Sequence, residues 1–162
     1  MTSISHERLL ELVEYNPLTG LMTWKKPTTN RVKAGSRAGS VSGTGYWQIG
    51  LDGKVYLFHR VAWFYVTAAW PEKWIDHKNG DFTDNRFENL RASSISQNAG
   101  NTKMHADNSV GLKGVYRKRN KFAARIRCGA AYNLGVFDTP EEAHAAYVDA
   151  AKKYFGDFAR AS

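Results

Sequence analysis

The chain has 162 residues, 43% of them hydrophobic, and a formal net charge of +8. That length buries one ordinary core or two small ones, and the charge favours a polyanion such as DNA or RNA as partner. A single cysteine, Cys128, excludes an intramolecular disulfide framework and any multi-thiolate zinc site, and the longest apolar run, Val61 to Trp70, is too short to cross a membrane. The segment Met1 to Glu7 lacks the basic and apolar parts of a secretion signal, so the expectation is a protein of the reducing cytoplasm.

His6 to Tyr15 places Leu9, Leu10, Leu12 and Val13 on one side and Glu7, Glu11 and Glu14 on the other. With Ser5 as N-cap this predicts a short amphipathic helix, ended by Asn16-Pro17. Leu18 to Trp24 reads as a turn into a strand, and residues 25–45, rich in Lys, Arg, Gly, Ser and Thr, read as loops and turns. Tyr46–Leu51 and Lys54–Phe58 are two strands around Asp52-Gly53, a strong two-residue hairpin signal. His59 to Ala68 is apolar on nearly all sides and predicts a buried helix. Trp74–His77 and Leu90–Ser93 are short strands flanking a loop from Lys78 to Glu88. Ser94-Ile95-Ser96-Gln97 has capping-box spacing, so a helix begins near Ile95 and runs toward His105.

Met104 to Leu112 is the best candidate for an interdomain linker. Beyond it lie strands at Gly114–Arg119, Lys121–Cys128 and Ala131–Phe137, then a helix from Pro140 to Phe155. That helix is strongly signalled: Thr139 is the N-cap, Pro140 the first helical position, and Glu142 completes a capping box. Ala143, Ala146, Tyr147, Ala150, Ala151 and Tyr154 form its inner stripe and Gly156 closes it. No acidic residue falls between Asp107 and Asp138, whereas Lys113, Arg117, Lys118, Arg119, Lys121, Arg125 and Arg127 all do. A charge run is usually a solvated face, but here aromatics interleave along predicted strands, which points to nucleic acid.

The chemistry is concentrated at Asp76-His77, Asn79-Gly80-Asp81, Asp84-Asn85-Arg86, Asn89-Leu90-Arg91 and Gln97-Asn98. A carboxylate, an imidazole and two carboxamides fall close together, with turn residues between them. Such a set holds one hard divalent cation and one general base, the minimum for hydrolysing a phosphodiester. His77 suits the base, because an imidazole titrates nearest neutral pH. Neighbours on a regular strand face opposite ways, so Asp76 and His77 share a site only at a strand end or bend, which Lys78-Asn79-Gly80 would supply. Asn79, Asp81, Asp84 and Asn85 taken singly read as loop formers.

These motifs, together with His59-Arg60-Val61-Ala62-Trp63 and Ser96-Gln97-Asn98, resemble an HNH endonuclease over about residues 55–101. The resemblance is closest to the phage and intron-encoded homing branch, with asparagines at the second and third signature positions. It implies a ββα-metal fold (core about 72–105), His77 as general base, Asp76 and Asn98 as ligands of Mg²⁺ with Mn²⁺ able to substitute, and Asn89 orienting the imidazole or the phosphate. Asn101 is the lesser alternative to Asn98. His59 matches a family position, and support of the fold is its favoured role.

Lys113-Gly114-Val115, Phe122 to Arg127, Asn133-Leu134-Gly135, Phe137-Asp138-Thr139 and the alanine-rich helix are similar to the Apetala-type DNA-binding domain of plants over about residues 112–160. In that family the sheet enters the major groove. Strand alternation assigns Tyr116, Lys118, Arg125, Arg127 and Asn133 to the DNA face, and Val115, Ala124, Ile126 and Leu134 to the core. Tyr116 and Asn133 stand where the plant domains tend to carry arginine and tryptophan, so the plant target sequence does not transfer.

The sequence thus predicts an α+β chain in two domains. A nuclease domain (1–103) and a linker (104–112) are followed by a DNA-binding domain (113–162) with a three-stranded antiparallel sheet on one helix. The expected activity is nicking of double-stranded DNA by a monomer, with a dimer or second encounter for a double-strand break. The competing readings are a non-catalytic DNA-binding regulator on a degenerate HNH scaffold and an RNA-binding module.

Overall fold

The computed structural model describes residues 3–26, 32–104 and 107–160. Residues 27–31 of the expected loop region and residues 105–106 of the expected linker lie outside these. The chain is mixed α and β and divides into two compact units, Met1–Ala92 and Ser93–Ser162. Among the described residues, no helix is long and apolar enough to cross a membrane.

In the first unit, Ser5 accepts a hydrogen bond from the Arg8 amide and starts α1 (His6–Leu12). The helix stops three residues short of the expected end. Val13 and Tyr15 are buried and Glu14 and Asn16 exposed, so this stretch is β1 (Val13–Asn16), paired with β2 (Leu21–Trp24). Val13 satisfies both a helical stripe and a strand alternation, and pairing with β2 decides between them. Asn16 Oδ1 closes the turn by accepting from the amides of Leu18 (2.9 Å) and Thr19 (3.2 Å).

The segment expected to be loops holds a two-residue strand, β3 (Ser40–Val41), which joins β4 (Trp47–Leu51) and β5 (Lys54–Leu57) in a sheet of order β3-β4-β5. Asp52 (φ 46°) and Gly53 (φ 78°) both take positive φ between β4 and β5, as a tight primed hairpin turn requires. The helix α2 (Phe58–Thr67) buries Phe58, His59, Val61, Ala62 and Phe64. Its outer side, including Val66, faces water, so burial on all sides does not hold. β6 (Trp74–His77) pairs with β7 (Leu90–Ser93), and Ile75 and Leu90 enter the same core as Leu9, Val13, Met22, Ile49 and Val61. Burying each such side chain stabilises by about 1.5–3 kcal/mol before chain entropy is set against it.

The second unit opens with α3 (Ile95–Gly100). Ser94 Oγ accepts from the Gln97 amide at 3.2 Å, and Gln97 Oε1 accepts from the Ser94 amide at 2.8 Å. The helix ends at Gly100, short of His105, and Gly100 packs closely on Phe155: a Cβ there would meet its ring at 2.5 Å. α3 thus belongs with the C-terminal elements in the second unit, not with the expected nuclease domain of residues 1–103.

β8 (Val115–Lys118), β9 (Lys121–Cys128) and β10 (Ala130–Phe137) form an antiparallel sheet of order β10-β9-β8, backed by α4 (Pro140–Phe155). A bulge between Asn133 and Gly135 shifts the β10 register. Ala143, Tyr147, Ala151 and Phe155 of α4 meet Val115, Ala124 and Ile126 of the sheet. Lys113 fastens the unit's ends, donating from Nζ to the carbonyls of Gly100 (3.0 Å) and Arg160 (2.8 Å) and to that of Thr102. Burial pulls its ammonium down to about 8. The Thr139–Glu142 capping box starts α4 as expected. Thr139→Ala should lower the stability of this unit by about 1 kcal/mol, read as a shift in the urea midpoint.

Candidate active site

Ile75, Asp76 and His77 are consecutive on β6, yet all three are buried. His77 is the last residue of the strand. Its carbonyl accepts from the Gly80 amide at 2.8 Å and Gly80 takes φ 68°, so the chain bends where the two side chains need it to.

The His77 ring is 2% exposed. Its Nε2 lies 3.2 Å from Asn85 Oδ1, and Asn85 Nδ2 donates to the Thr83 carbonyl at 3.2 Å. With the amide oriented by Thr83, the neutral tautomer carrying its hydrogen on Nε2 satisfies the contact and leaves the basic lone pair on Nδ1. Burial is the main influence on His77 and lowers its pKa below the usual imidazole value; Asn85 and the carboxylates of Asp76, Asp81 and Asp84 oppose it. Asn85 itself is held by Tyr15, whose hydroxyl donates to its carbonyl at 2.7 Å.

Asn89 stands elsewhere. Its Nδ2 donates to Asn79 Oδ1 (3.0 Å) and to the Asp84 carbonyl (2.8 Å), and its Oδ1 accepts from the Asn79 amide (3.1 Å). Asn89 therefore braces the 78–86 loop, and Asn85 is the carboxamide at the imidazole. Loop chemistry alone explained Asn85 in the sequence, and nothing local marked it as different.

Asp76 is 6% exposed and paired with Arg91, whose Nε and Nη2 each lie 2.9 Å from Oδ2. Three further rings, to which no local motif gives a chemical role, surround His77. His59 meets it edge-on at 5.1 Å, Tyr46 is tilted at 6.4 Å, and Phe82 is edge-on at 6.1 Å. Burial, then the proximity of His77 and Arg60, pulls His59 down to about 3. Burial and the Asp76 charge raise the Tyr46 phenol.

The buried histidines set an acid limit on stability. Unfolded, each binds a proton below about pH 6.5. Folded, His59 does so only near pH 3, so the unfolded state binds more protons between those values and stability falls as pH drops through the window. His59 alone should cost roughly 2 kcal/mol by pH 5. Urea denaturation at pH 7 and pH 5 checks this, with His59→Phe expected to flatten the difference.

Among the described residues, no group of three or more His, Cys, Asp or Glu side chains is placed to hold a metal ion. The oxygen donor at this site, Asp76, suits a hard cation that takes most of its ligands from water and phosphate. Asn98 and its alternative Asn101 belong to the second unit: Asn98 lies on α3 and Asn101 directly follows it.

In the second unit, Tyr116, Lys118, Arg125, Arg127 and Asn133 are all exposed. The register pairs Tyr116 with Ala123, Arg125 with Asn133, and Lys118 with Lys121. Cross-strand partners share a face, so the five stand together on the side opposite α4, while Val115, Ala124 and Ile126 face the helix. Leu134 sits at the bulge, half-buried against the same core. The Arg125 guanidinium lies 5.7 Å from the centre of the Tyr116 ring. Lys121, Ala131 and exposed Val136 complete this face, and register, rather than alternation along one strand, identifies them.

No curated protein and no solved structure matches the chain. The model of the HNH endonuclease family matches residues 56–99, the stretch from β5 through α3 that contains the bent strand end with Asp76 and His77, so the chain carries an HNH domain.

Proposed function

We propose that the chain is a metal-dependent DNA endonuclease of the homing type, with His77 as general base and the exposed sheet face of the second unit as its DNA-addressing surface. One observation carries this reading: a neutral, buried imidazole beside a buried carboxylate, inside the HNH-matched stretch. The net charge of +8 supports a polyanionic substrate.

His77 Nδ1 would take the proton from an attacking water while Asn85 keeps the ring oriented. Mg²⁺, or Mn²⁺ in its place, supplies charge neutralisation at the phosphate and the leaving 3′-oxygen. Asp76 would be its carboxylate ligand, and Asn98 the second oxygen ligand by motif spacing. A site with one base cuts one strand per event, so a monomer nicks double-stranded DNA, and a double-strand break needs a dimer or a second encounter.

The second unit's three-stranded antiparallel sheet on a single helix supports the Apetala-type reading, with Tyr116, Lys118, Arg125, Arg127 and Asn133 on the DNA. Replacing Lys118 and Arg125 by alanine should weaken duplex binding and reduce the slope of log affinity against log salt by roughly 1 per lost phosphate contact. Fluorescence anisotropy across a salt series reads both.

One observation favours the non-catalytic regulator. Arg91 already occupies Oδ2 of the carboxylate that a cation needs. Incubating supercoiled plasmid with Mg²⁺, Mn²⁺ or EDTA, beside an Asp76→Asn protein, tests the nuclease. Open-circle product that requires metal and Asp76 supports the nuclease; tight duplex binding with no product under any metal leaves the regulator or a very specific enzyme without its target sequence.

A further inference from the structure

Apart from Gly80, every side chain of the loop from Lys78 to Arg86 is polar except that of Phe82. It is also firmly held. Asp81 Oδ1 accepts from the Thr83 amide (2.8 Å) and hydroxyl (2.7 Å), Asn79 Oδ1 from the Asp81 amide (2.9 Å), and Asp84 Oδ2 from Asn79 Nδ2 (2.8 Å). On this frame Phe82 is 45% exposed and takes no part in the apolar core. Its ring lies nearly parallel on Tyr46, at 4.5 Å and 21°, and Tyr46 rests in turn against His59 at 5.6 Å.

A phenyl ring held half in water forgoes the stabilisation of burial. Shielding His77 alone would not require a flat ring backed by a second flat ring. Such a rigid two-ring stack suits a third planar group, and every nucleobase offers a π-face whatever its identity. The site's place beside the candidate base and the chain's positive charge make DNA the fitting source of that group.

We propose that Phe82, seated on Tyr46, is a stacking platform for one nucleobase next to the scissile phosphate. This rests on the nuclease reading and names the form of DNA it takes: a strand in which that base has left its own stack. Tyr46 covers one face of Phe82, so the platform receives a single base on the other. Because a mismatched or unpaired base costs least to unstack, duplexes with a mismatch beside the cut are cut faster than fully paired ones.

The test irradiates the full-length protein, in EDTA, with duplex DNA carrying 5-iodouracil in place of thymine, and maps the cross-linked peptides by mass spectrometry. Nicking of supercoiled plasmid is measured in parallel for the wild type, Phe82→Leu and Phe82→Trp. The platform gives a cross-link at Phe82 or Tyr46. Phe82→Leu, similar in size but not flat, raises KM about tenfold with little change in kcat, and Phe82→Trp retains wild-type KM. Loss of activity in both variants alongside a lowered melting temperature leaves the wild-type cross-link to decide. Metal-dependent nicking without any cross-link at Phe82 or Tyr46, or with Phe82→Leu equal to wild type, overturns the platform and leaves the nuclease standing. A cross-link without nicking under any metal keeps the platform and overturns the nuclease.

Discussion

His77→Ala should abolish nicking while duplex binding stays at the wild-type level. A positioned general base contributes about 10²–10⁴-fold, so residual cleavage should fall at least a hundredfold. Truncating a ring that is 2% exposed also opens a cavity, and His77→Gln, which fills more of it, guards against mistaking unfolding for lost chemistry. Both proteins should bind duplex DNA with unchanged affinity, measured by anisotropy in EDTA. Because burial lowers the His77 pKa, the neutral, basic form persists below pH 6.5. The acid limb of the wild-type rate profile should therefore lie on the acid side of an ordinary imidazole. Substantial nicking by both variants would remove His77 from the mechanism.

Gly20→Ala should cost the first unit about 3 kcal/mol and reduce nicking with it. Gly20 takes φ 70°, and a Cβ there would stand 2.5 Å from the Arg86 amide nitrogen and 2.6 Å from the Asn85 carbonyl carbon. The left-handed backbone costs an L-residue about 1–2 kcal/mol, and overpacking adds typically 1–3 kcal/mol. Main chain cannot rotate aside as a side chain does, so Asn85 must move, and its side chain is the one at His77 Nε2. Gly45→Ala is the control: it too has positive φ, 84°, but nothing within 4 Å, so only the backbone term of about 1–2 kcal/mol applies. Urea denaturation and plasmid nicking on the two variants separate steric displacement from backbone strain. Equal losses would show that the approach of Gly20 to the loop does not matter.

What the sequence made legible were the features set by a residue and its near neighbours. The boxes at Ser94–Gln97 and Thr139–Glu142, the Asp52-Gly53 turn and the three strands of the second unit depend on short-range hydrogen bonds and alternation. The end of β6 at His77 was legible for the same reason. The β1 boundary was not, because Val13 fits either period until Trp24 pairs with it. Nor was β3, whose two residues are a strand only through β4. At the candidate site, Tyr46 and His59 reach His77 from earlier elements of the chain, Phe82 is brought back onto it by the folding of the loop, and Arg91 reaches Asp76 across paired strands. No local pattern encodes such meetings. The helix carrying Asn98 was recognised by its cap, but its packing partner, Phe155, lies far along the chain.

The turn between β1 and β2 bears on whether the family-matched stretch can be lifted out of the chain. Tyr15 holds the Asn85 carbonyl, the Pro17 carbonyl accepts from the Phe87 amide at 3.0 Å, and Met22 and Trp24 share one core with Val61 and Ile75. The family-matched stretch is thus a signature rather than a cassette. Spliced alone into another scaffold, it would lose the wall that shapes its loop, and an engineer seeking a portable cutting module would have to carry everything from Ile4 onward.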